Sequence, residues 1–464
     1  MRLNCVQEIG CDTACYETAS RMQTMIFSAA IFLAAGTASL SDRTEKKTLQ
    51  RVEDSVVMEC KYLGPLFGTG MAKLSLMAKQ GDSWSPIPFQ LDQKKPDGSY
   101  AFTQGPEASA DPDPNLDAND ELVFMAKDSG DRAEDGKWPE GAETVIEVAL
   151  TDPKNGQKGW VYLARFSSGA PRSSDDYIEL FIDKAANRRG VRTYEYVGSS
   201  PMDGIAIDYL AANTAADGTP GKDFLDRLKI RGELIFPGGI IIPIKADKMM
   251  KGEDRGYIDG PVRVLQLSRG YLELAGIRVK GTGDILVKFY MNYNSFPVHI
   301  KSPEMPNFLK GLMPKVRLKA FLDLNPDSKG FHSFSPANPY NDGVVLDGAM
   351  SAAEKNLDTK TPIDWIGGSG PQGAIVSRLI LGKEISGKYK KTTYYLDDAS
   401  VSDPPEDHKG VQGVGYMLEG EGKIVMESSF ECIIYFKQEL KPENISEILD
   451  ILDHPIQVSI SKVK

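Results

Sequence analysis

"GPVRVLQLSRGYLELAGIRVKGTGDILVKFYMNYNSFPVHI", residues 260–300, is the stretch whose reading decides the fold. It reads as consecutive long strands joined by short glycine turns. Successive side chains of a strand point to opposite faces of a sheet, so a period of two marks a half-buried strand. The same period runs through most of the chain beyond residue 40, punctuated by Gly, Pro, Asn and Asp. In "YIELFID" (177–183), Ile178, Leu180 and Ile182 oppose Tyr177, Glu179 and Phe181. In "KVRLKAFL" (315–322), Val316, Leu318 and Ala320 oppose Lys315, Arg317 and Lys319, and "IQVSIS" (456–461) alternates in the same way. Beyond Glu121, "ELVFMA" (121–126) is apolar, as is "GGIIIPI" (238–244), which predicts strands buried on both sides or paired deep in a sandwich.

Helical signals are few. "PENISEILDIL" (442–452) places Ile445, Ile448, Leu449 and Leu452 at helical spacing, with Pro442 suited to a first turn. "GKDFLDRLKIRGE" (221–233) reads as helix or strand. Residues 105–120 and 325–343 lack periodicity and are expected to be long loops. Small polar residues gather at "SSGAPRSSDD" (167–176), a natural boundary. The expectation is an all-β protein: a leader with a signal peptide over 1–40, an N-terminal β-sandwich over 41–170, and a larger, supersandwich-like antiparallel β domain over 171–464. A one-sided apolar sheet must be covered, so such sheets pack face to face.

"DGPVRVLQL" (259–267) and the long strands after it resemble the start of the β-supersandwich domain of galactose-mutarotase-like carbohydrate-active proteins. "IPFQLDQ" (87–93) and "DANDELVFMA" (117–126) are similar to phrases in the leading domain of secreted proteins that carry such a supersandwich. The resemblance implies an all-β fold and contact with carbohydrate. It carries over no catalytic residue.

The chain has 464 residues, 26% of them charged, and a net charge of −11. A nucleic-acid surface needs a basic footprint to displace counterions, so that class of partner is excluded. "MIFSAAIFLAAGTAS" (25–39) is apolar, ends in small residues and follows Arg21, as a secretory signal cleaved near Ala38 or Ser39 does. It is shorter than a membrane span of about 20 residues, so no span is expected after its removal. The predicted location is periplasmic or extracellular. Cys5, Cys11 and Cys15 fall in the leader, which leaves Cys60 and Cys432, either paired in an oxidising compartment or free. No CxxCH or CxxC occurs, so haem is not expected. "DWIGGSGPQGAIV" (364–376) reads as a glycine-rich loop; it lacks the GxxxxGK[ST] pattern, so no nucleotide is expected either.

Two polar segments are candidate sites. In "DPDPNLDANDE" (111–121), Asp111, Asp113, Asn115, Asp117 and Asn119 alternate as the oxygen ligands of a calcium loop do, with Asp120 adjoining. Leu116 stands where an EF-hand needs Gly, and Leu122 where it needs Glu, so an EF-hand is excluded. A different calcium loop and a solvated acidic turn both stay open. In the second segment, Asp323, Asn325 and Asp327 alternate, and His332, Tyr340, Asn341 and Asp342 follow, a mixture of ring, amide and carboxylate suited to sugar. A third, acidic stretch carries Asp403, Glu406, Asp407 and His408. The four histidines show no metal-ligand spacing. The functional expectation is a carbohydrate-binding or carbohydrate-processing protein whose partner is a polysaccharide. The alternatives are a structural subunit meeting an envelope protein, and a polysaccharide lyase or glycoside hydrolase.

Overall fold

The computed structural model describes residues 45–204, 206–212, 219–274, 277–301, 315–420 and 427–464. The predicted signal segment and Cys5, Cys11 and Cys15 lie outside these residues. In chain order the first strands are β1 (Ser55–Glu59), β2 (Leu74–Gln80), β3 (Ser83–Pro86), β4 (Phe89–Asp92), β5 (Glu121–Met125), β6 (Ala142–Thr151) and β7 (Lys158–Phe166). Then come β8 (Ile178–Asp183), β9 (Arg188–Thr193), β10 (Tyr196–Pro201), β11 (Tyr209–Ala212), β12 (Leu225–Ile235), β13 (Ile241–Lys245), β14 (Met250–Asp259), β15 (Arg263–Leu274), β16 (Ile277–Tyr290) and β17 (Tyr293–Lys301). They are followed by β18 (Lys315–Leu324), β19 (Phe331–Phe334), β20 (Val345–Leu346), β21 (Trp365–Gly370), β22 (Gly373–Leu381), β23 (Tyr389–Asp398), β24 (Val411–Gly420), β25 (Glu427–Lys437) and β26 (Gln457–Lys462). The fold is all-β, with antiparallel sheets and few helices. The three strands β15, β16 and β17 are those read from residues 260–300.

The described chain forms two compact units that interleave in sequence. One contains residues up to Tyr100, Asp111–Ser173 and Leu449–Lys464; the other contains Ala101–Ala110 and Ser174–Ile448. The chain changes unit at Ser173, inside the polar boundary stretch. The sequence suggested a single cut, yet residues 449–464 rejoin the first unit because β26 pairs with β6, Val458 facing Leu150. Residues 101–110 join the second unit through a bridge between Gln104 and Tyr257.

In the first unit a three-stranded sheet, β1-β5-β4, shares one apolar core with a five-stranded sheet, β26-β6-β7-β2-β3. The middle strand β5 is buried on both faces: Leu122, Val123, Phe124 and Met125 are all fully buried. A second cluster joins Trp160, Tyr162 and Phe166 of β7 with the partly buried Trp84 of β3 and Trp138.

In the second unit the sheets are β11-β10-β9-β8, β13-β12-β18-β24-β23 and the nine-stranded β14-β15-β16-β17-β25-β22-β21-β19-β20. Their inward residues form one cluster, with Val191 and Tyr196 from the first sheet, Leu322 and Val414 from the second, and Phe289, Leu379 and Phe436 from the third. The 221–233 ambiguity resolves to the strand β12. The predicted C-terminal helix is Ile445–Asp453, entered through a 3-10 turn at Pro442–Asn444 and burying Ile445, Ile448 and Ile451.

Three expectations fail. "GGIIIPI" is not buried: β13 is the edge strand of its sheet, and Ile240, Ile241 and Ile242 are 63%, 55% and 45% exposed. An apolar run states a strand but not how many neighbours it has. Residues 325–343 are not all loop, because β19 lies within them. The glycine-rich 364–376 is the hairpin β21–β22; a Cβ on Gly368 would lie 2.1 Å from Phe331 Cε1, so close packing demands that glycine. Cys60 and Cys432 are both free, one in each unit. Burial raises both thiols, Cys432 to about 11, so neither is a reactive thiolate.

Candidate functional site

The alternation at 111–120 belongs to a series of side-chain turns. Asp111 Oδ1 accepts the N–H of Asp113 (3.1 Å), Asp113 Oδ1 that of Asn115 (3.1 Å), and Asp117 Oδ1 that of Asn119 (3.0 Å). An Asx turn binds the backbone two residues on, so it imposes the same period of two that a calcium loop shows. Asp120 is fully buried and holds the loop to its neighbours, its two oxygens accepting the N–H of Lys94 and of Asp117, each at 3.0 Å. Asn119 donates to the carbonyls of Lys94 (2.9 Å) and Lys95 (3.0 Å). Among the described residues, no three or more His, Cys, Asp or Glu groups converge as a metal site.

Around 323–342 the structure divides the residues. Asp323 is buried and bonded to the ammonium of the fully buried Lys229 at 2.5 Å. Asn325 caps the turn at 326–328 by accepting from Asp327 N–H at 3.1 Å. These groups are structural. His332 and Tyr340 do come together, with ring centroids 5.3 Å apart. His332 Nδ1 lies 3.2 Å from the carbonyl oxygen of Val344, which places its proton on Nδ1 and fixes the ring. Tyr340 is 44% exposed, and its hydroxyl bonds Asp342, which raises the phenol above its ordinary value. Asn341 shapes its own turn, Oδ1 accepting Gly343 N–H at 2.8 Å. Phe334, 6.1 Å from Tyr340, and Trp365, 6.4 Å from Phe334, extend the rings inward. The result is an aromatic platform with one carboxylate at its edge. The sequence reading missed Phe334 and Trp365, whose placement depends on strand pairing.

The acidic stretch at 403–408 is likewise engaged. Asp403 pairs with Arg231 (2.7 Å) and Lys245 (2.9 Å), and Glu406 accepts Ser402 Oγ and Asp403 N–H. Asp226 takes the N–H groups of Asp407 and His408.

One further concavity was not read from the sequence. It is a cleft of about 1090 Å³ in the second unit, lined by residues of β12, β18, β22, β23 and β24. Ile235, Val316, Ile363, Leu379, Leu381 and Tyr389 supply apolar walls. Five cations line it, Lys315, Arg317, Lys388, Lys390 and Lys391, against two carboxylates, Asp364 and Glu419. Arg317 is spent on Glu419 (2.6 Å) and Glu233 (3.3 Å). Lys391 runs inward to the carbonyl of Leu379, with its ammonium 3.3 Å from Asp364; burial lowers its pKa, and Asp364 opposes the shift. Lys315, Lys388 and Lys390 remain exposed along the cleft. This is a concentration of positive charge on a chain of net charge −11. A sequence signal existed: "GKYKK" (387–391) is basic within an acidic chain, but only the pairing of β18, β24 and β23 brings it beside Lys315. No family model matches the chain, and no curated protein matches it.

Proposed function

We propose that this is a secreted or periplasmic carbohydrate-binding protein whose ligand is an acidic glycan. The observation that carries the reading is the cleft, where lysines line a space with apolar walls. Carboxylated sugars offer both partners: anionic groups for the lysines and C–H faces for Tyr389 and the aliphatic walls. The exposed ring of Tyr340 beside His332, edged by Asp342 and backed by the buried Phe334, supports sugar contact independently. A one-headed lysine binds an anion as a point charge, so recognition here depends on charge more than on fixed geometry.

Calorimetric titration with uronic-acid oligosaccharides and their neutral counterparts tests this. Binding of the acidic series is expected to weaken with salt. Lys388→Ala with Lys390→Ala is expected to reduce it about tenfold or more, the loss of two charge contacts. Equal affinity for neutral and acidic sugars, or no binding by either, defeats the reading.

A further inference from the structure

The β12–β13 hairpin carries a feature that the glycan reading does not use. Gly238 and Gly239, both with positive φ (86° and 81°), close it, and Phe236 N–H donates to the carbonyl of Ile240 at 2.8 Å. The turn then presents Ile240, Ile241 and Ile242 in succession, 63%, 55% and 45% exposed. Exposed large apolar residues elsewhere among the described residues stand singly in sequence: Val52, Phe67, Ile182, Tyr194 and Tyr340. Single ones are ordinary, whereas a contiguous apolar projection marks an interaction site.

Two observations say what covers it. The first is charge. Register sets Ile241 opposite Ile235, and Ile235 opposite Lys315. Val316, the next residue, and Tyr389 both face Gly420, so Lys315 and Lys388 stand at the same end of the sheet as the isoleucines. An apolar tip beside exposed lysines complements an anionic bilayer, whose acyl boundary takes the one and whose headgroups take the other. The second is backbone. β13 is an edge strand, but Pro243 in its middle lacks an N–H and Lys245 ends it, both devices that oppose pairing with a further strand.

We infer that the hairpin tip Ile240–Ile242 docks on an anionic lipid surface and brings the lysine-lined cleft to the membrane. The inference uses the lysines but does not require that the cleft hold a glycan.

The test is flotation of the chain with phosphatidylcholine vesicles, with and without phosphatidylglycerol. The parent chain is expected to float with the anionic vesicles and much less with the neutral ones. Ile240→Ser, Ile241→Ser and Ile242→Ser together are expected to cut partitioning by about tenfold or more, since they remove the inserted apolar area. Lys315→Gln with Lys388→Gln is expected to remove the preference for anionic vesicles. An unchanged melting temperature and a monomeric elution profile show that the triple variant is folded. As a second measurement, a polarity-sensitive dye on Ile241→Cys should shift to the blue on contact with anionic vesicles. No flotation of the parent overturns the inference, as does equal flotation of the triple variant. So does a parent dimer that the isoleucine substitutions dissolve, because the occupant would then be a second copy. Titration with acidic oligosaccharides in the absence of vesicles separates the two proposals. The triple variant retains that binding if the glycan reading holds, and its absence in the parent leaves the flotation result standing.

Discussion

At residue scale, Asp120 is the most informative carboxylate. Burial pushes its carboxyl up to about 6 from an ordinary 3.8; the N–H bonds from Asp117 and Lys94 oppose this, and the charges of Asp117 and Asp111 add to it. The folded chain therefore holds this proton more tightly than the unfolded chain. The stability it contributes is full below pH about 4 and is lost as pH rises through about 6. Asp120→Asn should flatten the decline in melting temperature between pH 4 and 7, measured by thermal denaturation across that range. Its overall melting temperature should be lower, because the amide nitrogen cannot accept one of the two N–H bonds. A decline of unchanged slope would place the titration elsewhere. The period of two at 111–119 was legible in the sequence. Its cause was not, because backbone turns and metal ligation both call for a side-chain oxygen at alternate positions.

At the scale of elements, periodicity read the strands well wherever one face met solvent. In β26, Val458 is buried and Ser459 exposed, as the alternation requires. In β8 the pattern weakens: Ile178 is buried while Ile182 is 38% exposed. The candidate platform depends on close strand approach. Gly368 of β21 faces Ser333 of β19, and a Cβ there would meet Phe331 Cε1 at 2.1 Å, Cζ at 2.5 Å and the His332 carbonyl at 2.9 Å. Gly368→Ala is expected to destabilise by about 1–3 kcal/mol, the usual cost of overpacking. Urea denaturation measures it, and a change within about 0.5 kcal/mol would mean that β19 yields freely. Such a shift would also move His332 against Tyr340.

At the scale of the whole molecule, each unit has its own hydrophobic core, and the last strand belongs to that of the first unit. Ile456 and Val458 of the C-terminal segment lie in that core beside Ile146 and Val161. Deleting residues 455–464 should open the edge of β6 and lower the transition of the first unit in scanning calorimetry, with the second unit's transition little changed. An unaltered trace would show that β26 adds nothing to the core it completes. No helix among the described residues is long and apolar enough to cross a membrane.

The sequence by itself determined the all-β class, the long strands of 260–300, the C-terminal helix and the polar stretch where the units part. Each is written in local spacing: period two, period 3.6, and turn residues between them. Only the tertiary structure decided which apolar run is an edge, since "ELVFMA" became the centre of the sheet β1-β5-β4 and "GGIIIPI" the exposed edge of a different sheet, β13-β12-β18-β24-β23. It alone assembled the cleft, whose lysines come from strands more than seventy residues apart. Side-chain spacing is a property of the chain, whereas burial and charge density are properties of neighbours, and neighbours are set by strand pairing.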